Sequence, residues 1–182
     1  ILLATNLDDA MAMYEKYKSN LLGVISDVGF CEHRGGKPEE EKLDAGLNLV
    51  RHIKADDPKM PILLQSSQDS ICPVAEELGV GFLRKYSKTL MIQLYDYIKE
   101  EFAFGDFIFR DADRVEYGRA ANLKELEVLM REIPEDILLA NTSKNMLSKW
   151  FMARGLFTLG AKFKKVSESH FANVAELRSY VS

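Results

Sequence analysis

The chain has 182 residues, 47% of them hydrophobic and 10% aromatic, and its 24 Lys+Arg against 28 Asp+Glu give a formal net charge of −4. That apolar share with so small a net charge excludes disorder as the main state, and the length allows one or two domains whose cores need no covalent staples. No apolar run approaches the ~20 residues of a membrane span, and Cys31 and Cys72 stand apart without a C-x-x-C pair, which fits a reducing, cytoplasmic setting rather than a disulfide framework or a thiolate metal site.

The chain opens on Ile1-Leu2-Leu3-Ala4-Thr5, inside an apolar run with neither Met nor signal-peptide flanks, and is read as a fragment of a longer protein. Through Phe104, short apolar runs alternate with segments of helical period, the pattern of a parallel sheet built from β-α units. The strands are predicted over 1–5, 21–26, 62–66 and 81–83. A first helix over 8–19 places Ala10, Met13, Tyr14 and Tyr17 on one stripe, with Asn6 as its N-cap and Asp8 and Asp9 at its positive end. A second, over 43–54, is expected to bury Leu43, Leu47 and Val50 and to stop before Asp57-Pro58 and Met60-Pro61. A short helix over 73–78 ends at Gly79, and a longer one runs over 87–102.

From Gly105 the pattern changes. Residues 107–110 and 115–117 read as a hairpin around a polar turn. A helix carrying Leu123, Leu126, Met130 and Ile133 ends at Pro134, another spans 143–154, and a last short one spans 174–180. Trp150, Phe151, Phe157 and Leu147 are expected to form the core of this part. The reading is therefore an α/β domain over 1–104 followed by a small, mostly helical α+β subdomain over 105–182. The first part carries a net charge of −5 and the second +1. Between 141 and 165 lie Lys144, Lys149, Arg154, Lys162, Lys164 and Lys165 with no acid, a candidate surface for an anionic partner. The plainer alternative is a solvated helix face.

In a parallel α/β sheet, functional groups gather at the carboxyl ends of the strands. Asp27, Ser66 and Lys85 sit at three such ends here. An acid, a hydroxyl and a lysine so placed suit phosphoryl transfer to a carboxylate, with Asp27 as nucleophile, Ser66 bonding a phosphoryl oxygen and Lys85 balancing charge. Each also has a structural reading, with Lys85 pairing Asp27 and Ser66 satisfying a loop amide. His33, His52 and His170 show no ligand spacing, and the phosphate-loop and nucleophile-elbow motifs do not occur. Gly35-Gly36 reads as a flexible turn.

Residues 1–104 resemble a response-regulator receiver domain. The resemblance is carried by Leu22-Gly23-Val24-Ile25-Ser26-Asp27, by Ala45 to Lys54 as the third helix, by Pro61-Ile62-Leu63-Leu64-Gln65-Ser66, and by Gly79-Val80-Gly81-Phe82-Leu83-Arg84-Lys85. It implies a flavodoxin-like fold lacking its first strand, a phosphoacceptor at Asp27, Phe82 as the switch aromatic with Ser66 as its hydroxyl partner, and a histidine kinase or small phosphodonor as partner. The acids that hold Mg²⁺ in that family precede the segment at which this chain begins. Mg²⁺ is therefore expected only with upstream residues, Asp27 supplying part of its site. Asp8-Asp9 lies at the start of the second-helix position and is not read as the metal pair. Cys31 and Tyr86 stand where the family commonly has prolines, and residues 32–42 form an insertion.

A second resemblance spans nearly the whole chain. Asn20 to Val28, Pro61 to Ser67, Phe104 to Arg110, and Glu132-Ile133-Pro134-Glu135 through Ser148-Lys149-Trp150 look like the region ahead of the catalytic domains in bacterial proteins related to phosphoenolpyruvate synthase and pyruvate phosphate dikinase. Asn141 and Met146 stand where such relatives tend to have histidines. The resemblance implies a regulatory module whose partners are downstream catalytic domains. Three functions follow: a degenerate receiver that docks without turning over phosphate, an active receiver phosphorylated on Asp27, or a small enzyme on a flavodoxin-like scaffold. No nucleic acid or membrane partner is expected. The missing first strand leaves three expectations for the sheet: a gap, closure by residues 1–5, or a strand borrowed from a second copy in a homodimer.

Overall fold

The computed structural model describes residues 1–37, 40–142 and 145–168. The predicted helix over 174–180, together with Lys144 and His170, lies outside them. The chain is a mixed α/β protein in two compact units, Ile1–Asp96 and Tyr97–Ser182. The division falls inside one helix, α4 (Leu90–Glu101), rather than after Phe104, where the sequence pattern changes.

In the first unit, α1 (Leu7–Tyr17) starts where the sequence places it. The Asn6 side chain accepts from the Asp9 amide at 2.8 Å and donates back to the Asp9 carboxylate at 2.8 Å, which satisfies an end donor that the helix leaves unpaired. Three strands, β1 (Val24–Asp27), β4 (Ile62–Ser66) and β5 (Gly81–Arg84), form a parallel sheet in the order β1-β4-β5. Val24 lies opposite Ile62, and Leu64 opposite Phe82. Between them come α2 (Ala45–Asp56) and α3 (Ile71–Glu77). The core joins Leu7 and Tyr14 of α1, Leu47, Val50 and Ile53 of α2, and Ile62 and Leu64 of the central strand. Tyr14 is buried, and its hydroxyl donates to Asp56 at 2.8 Å, so α1 and α2 are also tied by a polar bond. The insertion after β1 is not wholly irregular, since β2 (Phe30–Cys31) and β3 (Glu41–Lys42) pair antiparallel.

Two expectations for this unit fail. Residues 1–5 form no strand, and Ile1, Leu2 and Leu3 are exposed. The reason lies in the bridge that Asn6 makes, parallel, with Cys31. Counting back in register from it, Leu2 falls level with Asp27, so the apolar run overlaps only the end of β1. Among the described residues the outer edge of β1 carries no strand. Leu43 is 71% exposed rather than buried, because α2 begins only after Asp44.

In the second unit, β6 (Phe107–Arg110) and β7 (Glu116–Ala120) form the expected hairpin. Among the described residues four helices follow: α5 (Leu123–Glu132), α6 (Glu135–Thr142), α7 (Met146–Ala153) and α8 (Phe157–Glu168). The helices α6 and α8 were not anticipated. Phe107, Phe109, Leu126, Met130, Leu147, Trp150, Phe151 and Phe163 make the core. Phe157 does not belong to it and is 59% exposed. It opens α8 just after the Gly155 turn (φ +75°), and Phe163 takes the inward position against Phe151.

The Asn141 side chain closes α6 onto the hairpin. Its amide nitrogen donates to the Arg110 and Ile137 carbonyls, both at 2.7 Å, and its oxygen accepts from the Arg110 amide at 3.2 Å. Asn141→Ala would leave both Arg110 backbone groups without this partner. It is expected to cost about 2 kcal/mol, read as a lower urea midpoint with an unchanged slope.

Candidate functional site

The three strand-end residues do not converge equally. Asp27 closes β1, and its Oδ1 lies 3.0 Å from the Nζ of Lys85, just beyond β5. Both side chains stay in contact with solvent, at 49% and 34% exposure, so this pair contributes less than about 1 kcal/mol to folding. The Lys85 amide donates to the Ser66 carbonyl at 2.8 Å, which holds the end of β5 against β4. Ser66 itself is buried, and its hydroxyl accepts from the Gln68 amide at 3.1 Å. Asp27 lies opposite Gln65, and Ser66 is the next residue, so strand alternation directs the Ser66 side chain to the other face. Phe82 lies opposite Leu64, on the Ser66 face, half-buried against the core. The acid and the lysine meet, while the hydroxyl and the aromatic share the opposite side.

Sequence reasoning missed Gly46. A Cβ built there would stand 2.1 Å from the Asp27 carbonyl oxygen and 2.9 Å from the Val28 Cα, and the Gly46 amide donates to the Val28 carbonyl at 2.8 Å. The first turn of α2 is thus laid directly on the backbone that carries Asp27. A glycine inside the run Ala45-Gly46-Leu47-Asn48-Leu49-Val50 was the available signal, since glycine in a helix is unfavourable unless close approach requires it.

Asp8 and Asp9 are occupied elsewhere. His33 Nδ1 lies 2.7 Å from an Asp8 oxygen, and the Arg34 guanidinium spans both Asp9 oxygens at 2.7 and 3.3 Å. Among the described residues, no group of three His, Cys, Asp or Glu side chains converges as a metal-binding set. The Asp8 carboxylate holds the His33 imidazole above its usual range by hydrogen bonding and by charge. The ion pair is complete below the ordinary histidine pKa and is lost as pH rises through the raised one. Proton NMR titration is expected to show His33 titrating above the ordinary value and returning to it in Asp8→Asn.

The basic stretch is uneven. Arg154 turns inward, its guanidinium donating to the Ala103, Gly105 and Trp150 carbonyls at 3.3, 2.9 and 3.3 Å and lying 3.6 Å from the centre of the Trp150 ring. Burial pushes its pKa down. Three of its donors are thus taken by carbonyls of the second unit. Lys149 and Lys164 are half-buried and Lys162 is exposed, while Lys144 and the Lys165 side chain lie outside the described residues.

Comparison of the chain with protein-family models, curated proteins and solved structures returns no match. Among the described residues no helix is long and apolar enough to cross a membrane.

Proposed function

We propose that the first unit is a receiver-like, flavodoxin-like regulatory module of a larger cytoplasmic protein related to phosphoenolpyruvate synthase, and that it works by docking rather than by phosphate turnover. The observation that supports this most is the Asp27–Lys85 pair at 3.0 Å, at the carboxyl ends of strands of a parallel sheet. Docking is favoured over turnover because strand alternation turns the Ser66 hydroxyl to the face opposite Asp27, and because Asp8 and Asp9 are paired to His33 and Arg34. The partners on this reading are the downstream catalytic domains.

One observation favours a second reading, an active receiver. The Asp27 carboxylate is 49% exposed and open to a small phosphodonor. The two readings separate under beryllofluoride with Mg²⁺, which mimics an acyl phosphate. Docking without turnover predicts unchanged amide resonances at Gln68, Phe82 and Lys85. Saturable shifts at those amides, absent in Asp27→Asn, would establish the switch instead.

A further inference from the structure

We infer that Ser26 is a positioning residue for Asp27: its hydroxyl holds the Asp27 carbonyl, and with it the direction in which the carboxylate leaves β1 toward Lys85. Ser26 lies opposite the core residue Leu64 and is 8% exposed. A hydroxyl so buried is costly unless it is bonded. This one donates to the Asp27 carbonyl at 2.8 Å. Strand alternation sends the Asp27 side chain to the other face, so Ser26 acts on it through the backbone and not by contact.

The ladder explains why that carbonyl needs a partner. The Val24 amide donates to the Pro61 carbonyl at 3.0 Å, and the Val28 amide to the Gln65 carbonyl at 3.2 Å. Alternate residues of a parallel strand bond to the same neighbour, so Asp27 turns its own amide and carbonyl away from β4. They face the edge that, among the described residues, carries no strand. The peptide plane after Asp27 is therefore pinned on the β4 side by the Val28 amide, and its open side is left to Ser26 and α2. Gly46 stands against the same oxygen, and its amide donates to the Val28 carbonyl at 2.8 Å. Held between a hydroxyl and the first turn of a helix, this plane fixes the Cα–Cβ direction of Asp27, whose Oδ1 meets the Lys85 Nζ at 3.0 Å. The inference rests on the reading of that pair as the centre of the site, and not on whether Asp27 turns over phosphate.

The test reads the Lys85 side-chain proton and carbon resonances of the full chain with and without Asp27→Asn, a cycle that isolates the pair, with circular dichroism of each variant as the control for folding. In the native background Asp27→Asn is expected to shift them, because the pair is lost. Ser26→Ala is expected to remove most of that response, and Ser26→Thr, which keeps the hydroxyl, to retain it. An undiminished response in Ser26→Ala would overturn the inference and leave Ser26 a role in stability alone, read as a lower urea midpoint. A response lost equally in Ser26→Thr would also overturn it, by tracing the effect to packing. No response in the native background would show that the pair does not form, and would overturn both the inference and the reading it rests on.

Discussion

Gly46→Ala is expected to destabilise the first unit by about 3 kcal/mol, the upper end for overpacking a site that cannot relax. A methyl group at this position would lie 2.1 Å from the Asp27 carbonyl oxygen and 2.9 Å from the Val28 Cα, far inside any tolerated contact. The obstructing atoms are backbone, so no side chain can swing aside. Relief requires either moving α2 off β1 or bending the end of β1. The first opens the core around Leu47 and Val50, and the second displaces Asp27 from Lys85. Ordinarily alanine is the better helix former by about 1 kcal/mol, so propensity alone predicts the opposite sign. Urea unfolding reads the loss, and the Asp27 and Lys85 side-chain resonances read the displacement.

Trp150→Ala is expected to cost about 4 kcal/mol in the second unit. Trp150 is 1% exposed and packs edge-on against both Phe107 and Phe151. Its indole N–H donates to the Gly105 carbonyl at 3.0 Å, and its ring carries the Arg154 guanidinium. Truncation therefore opens a cavity, removes a hydrogen bond and takes the aromatic face from a half-buried cation. Arg154→Met removes the cation while keeping the packing of its stem, and is expected to cost about 2 kcal/mol because three carbonyls lose a charged donor. Urea midpoints measured by circular dichroism order the two variants. Equal costs would mean that the cation, not the ring, organises this core.

Much of this fold was legible in the sequence because it rests on local chemistry. Asn6 caps α1 because its side chain reaches the third residue on. The runs at Val24–Asp27, Ile62–Ser66 and Gly81–Arg84 are strands because they are short apolar runs between breakers, the central one buried almost throughout and the outer two only in part. Asp27 and Lys85 meet because parallel strands deliver their carboxyl ends to one side. What escaped depends on register and on what lies across a gap. Residues 1–5 have the composition of a strand, but in the register of the Asn6–Cys31 bridge they overlap only the end of β1. Leu43 continues the helical stripe in sequence, yet the helix starts only where Gly46 can seat on the Asp27 backbone. Phe157 and Phe163 are indistinguishable as apolar aromatics until the Gly155 turn fixes which one faces inward. Arg154 looked like surface charge because sequence does not show that three carbonyls and an indole ring await it.

The central claim, docking without phosphate turnover, meets its most direct test in intact mass after incubation with Mg²⁺ and acetyl phosphate, beside an Asp27→Asn control. With the Ser66 hydroxyl directed to the face opposite Asp27 and Lys85, the account predicts that the folded protein gains no mass. A gain of about 80 Da that disappears in the control would contradict it and make Asp27 a working phosphoacceptor.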